Sequence, residues 1–163
     1  MIPLSATIAT DKIYQAFHDD YHKLKAFYHG HSFTGNPIAC AIAVENLKIM
    51  EEEKIIENLQ PKINSFKKSM EKFKDLKHVG DIRHIGMIGA LEIVKNKETK
   101  EPHHFSERIG HKIFLEAMKR GALLRPTGNV IYFIPPLIIT EGQIEELTQI
   151  AYDSIKSVTE TLN

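Results

Sequence analysis

The sequence predicts an α+β fold, a largely antiparallel sheet with helices on one face, preceded by an arm and a helix of different character. Three observations carry this. Beyond Lys77 the apolar pattern switches from helical to alternating, and the elements then run β-β-α-β-β-α. Three stretches carry apolar residues at spacings of three and four, the mark of helices with one buried face. Before residue 54 the pattern is different: short apolar runs separated by a loop rich in Gly, Ser, Thr and His.

A chain of 163 residues is one domain, or one plus an arm, and can bury a real core. Its 21 basic and 21 acidic residues balance, which argues against nucleic acid or an anionic membrane surface as main partner. The single cysteine, Cys40, lies among alanines and reads as a small buried residue. No apolar run is long enough to span a bilayer, and Met1-Ile2-Pro3 begins no signal peptide, so a cytoplasmic setting is expected.

In order, residues 2–10 read as an extended, half-buried segment. A strand at a terminus usually continues a sheet laid down earlier, so truncation is expected. Residues 11–18 form a short helix with Ile13, Ala16 and Phe17 on one side. Residues 27–37, F-Y-H-G-H-S-F-T-G-N-P, form a loop ending in Asn36-Pro37, a cap followed by a proline suited to the first helical turn. The helix so begun runs to the acidic residues Glu51, Glu52 and Glu53.

A second helical stretch carries Ile56, Leu59, Ile63, Phe66, Met70 and Phe73, with Pro61 expected to kink or divide it. Its lysines alternate with Glu71 and Asp75 and read as a solvated face. Strands follow at 79–85 and 87–94 around Gly86, then a polar loop at 96–104 and a helix at 106–120 stopped by Gly121. Residues 122–124 and 130–134 are strands about a turn at 126–129. Thr140 caps a last helix that presents Ile144, Leu147, Ile150, Ala151 and Ile155 inward.

Two places invite a ligand. The helix start after Gly30, Ser32, Thr34 and Gly35 offers backbone N–H groups and hydroxyls at a positive dipole end, suited to phosphate or carboxylate. An ordinary polar loop with a good cap explains the same residues. Arg125 ends an apolar run, L-L-R-P, where its guanidinium costs desolvation unless an anion meets it, and Tyr132 on the next strand can reach the same place. A local acid would satisfy it equally. His29, His31, His103 and His104 lack the spacing of a metal site, and no metal is expected.

Taken together, the loop 27–37, the opening I-P-L-S-A-T, V-G-D-I-R, L-E-I-V-K-N-K-E-T-K-E-P and L-L-R-P-T-G-N-V-I-Y-F-I-P-P-L-I-I-T resemble one family across essentially the whole chain. The chain is similar to the C-terminal part of class III pyridoxal-phosphate aminotransferases, within them most to the branch serving biotin biosynthesis. The resemblance implies a homodimeric enzyme of fold type I. Residues 1–53 would be a remnant of the large cofactor domain and 54–163 its small C-terminal domain. It implies pyridoxal 5'-phosphate as cofactor, 8-amino-7-oxononanoate as substrate, and S-adenosylmethionine or lysine as amino donor. The Gly30-His31-Ser32 turn would reach the cofactor of the neighbouring subunit: Ser32 to its phosphate, His31 beside it, and the Gly30 backbone along the substrate channel. Arg125 would clamp the substrate carboxylate and Tyr132 would line the same pocket.

One departure follows from the same resemblance. The family's Schiff-base lysine precedes the segment matched by I-P-L-S-A-T, and none of the lysines present stands in for it. No catalytic residue is therefore expected in this chain, which alone should be inactive. A missing large-domain chain is the expected partner. A different class III enzyme acting on an ω-amino acid, a binding module or a non-catalytic remnant are the alternatives.

Overall fold

The structure, a computed structural model, describes residues 3–161. Met1 and Ile2, part of the opening stretch discussed above, lie outside the described residues. The chain divides into two compact units, Met1–Lys54 and Ile55–Asn163.

In the first unit, residues 3–10 are irregular and exposed, not a strand. An extended segment needs a neighbour for its N–H and C=O groups, and among the described residues of this unit there is no strand to offer one. Helix α1 spans Asp11–Phe17 and buries no residue. Helix α2 spans Pro37–Glu52, and only Ala39 is buried along it. Cys40, expected inside, is exposed. A unit of this size cannot cover a helix that is apolar nearly all round.

The second unit holds the core. Helix α3, Leu59–Glu71, starts later than the apolar stripe implied, because Lys54 takes a positive φ of 49° and residues 53–58 form turns. Pro61 therefore falls in the first turn, where its missing N–H is no loss, and the expected kink does not form. A 3-10 turn, Lys72–Asp75, carries the buried Phe73. Strands β1, Val79–Ile85, and β2, Ile88–Asn96, make a hairpin in which Gly86 supplies the positive φ that a two-residue turn requires. The polar loop contains a short strand, β3, Glu101–Pro102, paired with β2.

His104 and Glu107 cap one another across a 3-10 turn, Phe105–Glu107. Arg108 then takes a left-handed conformation, so helix α4, Ile109–Lys119, begins after it and not at Ser106. The next strand also moves. Residues 122–124 are irregular, and β4 is Arg125–Thr127, including Pro126. Proline is tolerated because β4 is an edge strand: the order is β1-β2-β5-β4, all antiparallel, with β5 spanning Val130–Phe133. Helix α5, Glu141–Glu160, starts at a Thr140–Gln143 capping box.

Sheet residues Leu91, Ile93, Ile131 and Phe133 join Phe66, Met70, Ile113, Ile144 and Ile155 in one buried cluster. Phe133 meets Phe66 edge-on at 6.0 Å and Phe73 at 6.1 Å. At Gly89 side chains of α3 press against the sheet backbone, since a Cβ there would meet the Phe66 ring at 2.8 Å. This leaves the opposite sheet face for polar work. Cross-strand partners Arg83, Ala90, Tyr132 and Arg125 form one row across it.

Candidate functional site

The first candidate region is the loop before α2. His31 N–H donates to Thr34 Oγ1 at 3.0 Å and Thr34 N–H returns to His31 O at 2.9 Å, closing the turn. Gly35 leaves it with a φ of +72°. Phe27 stacks on His29, and His29 meets His31 edge-on at 5.8 Å, so a train of rings orders the approach.

The helix start itself is not open. Asn36 Oδ1 accepts from Ile38 N–H at 3.0 Å and Ala39 N–H at 3.1 Å, Cys40 N–H donates to Asn36 O, and Pro37 has no N–H. The cap thus takes the N–H groups of the first helical turn, and of the donors expected before it Thr34 N–H is taken by His31 O. For an anion there remain the Ser32 hydroxyl, exposed, and the Gly30, Ser32 and Gly35 N–H groups, none with a hydrogen bond among the described residues. A cavity of about 730 Å3 lies beside the turn, between Pro3, Leu4 and Ser5 and the residues His31, Thr34 and Asn36. His31 lines it; Gly30 and Ser32 do not.

The second region centres on Arg125. Arg83 is held by Asp81 at 2.7 Å and Glu92 at 3.1 Å, and Arg120 by Glu116 at 2.9 Å. Arg125 has no carboxylate partner among the described residues, and its contact is the Tyr132 ring, 5.8 Å from guanidinium carbon to centroid. Both residues line a cavity of about 590 Å3 whose other walls include Phe114, Leu124, Pro136 and Leu147. An apolar cleft with one guanidinium suits an aliphatic chain ending in a carboxylate.

Sequence reasoning placed Arg125 and Tyr132 together but named none of the residues of the apolar walls as such. Leu147 was read only as a core residue of its helix and Phe114 likewise, because periodicity shows which face is covered and not where the cover has a gap.

These features define a class. The family described as aminotransferase class-III matches residues 2–155, and the chain belongs to it. It is 44% identical over 155 residues to the adenosylmethionine-8-amino-7-oxononanoate aminotransferase of Methanocaldococcus jannaschii, covering 95% of this chain and 34% of that protein. To the enzyme of the same name from Geobacter sulfurreducens it is 44% identical over 158 residues, covering 97% of this chain and 35% of the relative. The crystal structure of the Methanocaldococcus jannaschii enzyme superimposes with a TM-score of 0.84 over 91% of this chain and 34% of that one. The chain thus spans about a third of the length of the curated relatives it matches.

Proposed function

We propose that this chain is the C-terminal part of a pyridoxal-phosphate aminotransferase that converts 8-amino-7-oxononanoate to 7,8-diaminononanoate, with adenosylmethionine as amino donor. The observation that carries the reading is Arg125, the guanidinium without an acid partner in an otherwise apolar cleft. The likeness to enzymes of that name supports it.

In this reading Arg125 takes the substrate carboxylate in its planar fork. The apolar walls lie along the aliphatic chain, and chain length then sets where the ketone stands. Tyr132 holds the guanidinium from the side. Ser32 suits a cofactor phosphate, since its hydroxyl is exposed and uncommitted among the described residues. The His31 N–H is already taken by Thr34, so His31 acts through its ring, and the Gly30 backbone borders the substrate path. Bound pyridoxal phosphate would supply the electron sink of transamination. Residues 1–53 belong to the cofactor domain and 54–163 to the small domain, and the Gly30–Ser32 turn serves the neighbouring subunit of a cytoplasmic homodimer. Among the described residues no helix is long and apolar enough to cross a membrane.

Without a Schiff-base lysine the chain alone does not turn over. Co-expression with the N-terminal part of the Methanocaldococcus jannaschii relative tests this, with formation of 7,8-diaminononanoate as readout. Product only when both parts are present is the expected result. Product from the isolated chain, or none from a folded assembly, would overturn the reading.

A further inference from the structure

A third cavity, of about 270 Å3, opens at the start of α4 and takes no part in the function just proposed. Its lining includes His103, Arg108, His111, Gly128 and Asn129. The β4–β5 turn closes on the helix because residue 110 is glycine, and a Cβ there would collide with the Gly128 carbonyl oxygen. Asn129 Nδ2 ties the turn to the His103 carbonyl at 2.8 Å.

The side chains of Arg108, His103 and His111 around this space carry nitrogens able to donate. Arg108, exposed, has no carboxylate partner among the described residues. His103 is only 5% exposed, and its Nδ1–H donates to Glu107 Oε2 at 3.0 Å. Its other nitrogen, Nε2, is buried and has no hydrogen-bond partner among the described residues; with Nδ1–H given to Glu107, it carries a proton only in the imidazolium, so His103 would meet an anion in that form. Arg108 gives the helix no side-chain cap, and the N–H groups of Ile109, Gly110 and His111 have no acceptor among the described residues. The nearby carboxylate, Glu107, does not line the cavity and is engaged by Lys95, His103 and the His104 N–H.

We propose that this cavity binds a tetrahedral oxyanion, either inorganic phosphate or the phosphate of a monoester. The Arg108 guanidinium, the His111 ring and the His103 imidazolium supply donors, with the start of α4 beside them, and a tetrahedral dianion has acceptor oxygens to meet them. A planar carboxylate would leave part of the set unused.

Histidine ring resonances of the full chain, followed while phosphate replaces chloride at constant ionic strength, test the proposal. Saturable shifts of His103 and His111 are expected. Arg108→Gln, at an exposed position, should weaken the response about tenfold. Lys112→Gln, on the same helix but outside the cavity, and Ser32→Ala, in the loop assigned to the cofactor, should leave it unchanged. Tighter binding of a simple phosphate monoester than of phosphate assigns the site to an esterified ligand, and the reverse to the free anion; either upholds the site. Shifts that do not saturate, or that Arg108→Gln leaves intact, would overturn it.

Discussion

Arg125 and Tyr132 are direct cross-strand partners, with the guanidinium carbon 5.8 Å from the ring centroid. The ring face, not an acid, holds the cation, so its hydrogen-bonding fork stays free for a ligand. In the assembled enzyme Tyr132→Phe should keep carboxylate affinity within about twofold, because the ring remains. Tyr132→Leu should raise KM for the carboxylate substrate about threefold, the scale of an exposed cation–π contact. KM measured for both variants decides between ring and hydroxyl.

Glycine 110 should respond to alanine in the opposite sense from most helical glycines. Gly→Ala in a helix ordinarily stabilises by up to about 1 kcal/mol. At Gly110 the new methyl meets backbone, the carbonyl of Gly128, so Gly110→Ala should destabilise by about 2 kcal/mol or more. Gly142, in the first turn of α5 with nothing near its Cβ position, is the contrast: Gly142→Ala should stabilise by about 0.5 kcal/mol. Denaturant unfolding of the two variants gives both signs.

Acid should undo the turn before α4. The hydrogen bond from His103, then that from Lys95, then the His104 N–H hold the Glu107 carboxyl down to about 2, below its ordinary 4.5. A depressed carboxylate stabilises fully above the unfolded value and loses that contribution as pH falls from about 4.5 to about 2. The stability gap between the wild-type chain and Glu107→Gln should therefore close across that window. A gap independent of pH would contradict the assignment.

His84 sets a second window, of the other kind. Burial, and then the Lys67 charge, lower its pKa below the ordinary 6.5 despite an opposing backbone bond at Gly86. As pH falls through about 6.5 the unfolded chain takes up the proton first, so stability should decline on the acid side. His84→Gln should flatten that decline in thermal melts recorded across the range.

Much of this was legible in the chain. The β-β-α-β-β-α order, the Asn36 and Thr140 caps and the facing of Ile144, Ala151 and Ile155 follow from local chemistry, which periodicity and capping residues report well. Boundaries failed where one residue left the ordinary backbone regions: Lys54 and Arg108, both with φ of 49°, each delayed a helix, and neither side chain signals it. The strand at Arg125–Thr127 was hidden because Pro126 argues against a strand until its edge position is known. The site divided the same way. Arg125 stood out by chemistry, whereas the closed state of the α2 start depends on one Asn36 oxygen taking two N–H groups, a geometry no spacing reveals.

The decisive measurement is the steady-state kinetics of Arg125→Ala in the co-expressed, assembled enzyme. Loss of the charge-assisted clamp, about 1.5–3 kcal/mol, should raise KM for 8-amino-7-oxononanoate roughly 10- to 100-fold while pyridoxal-phosphate affinity stays within about twofold. An unchanged KM for that substrate, in an enzyme that still folds and binds its cofactor, would show that Arg125 does not anchor the carboxylate.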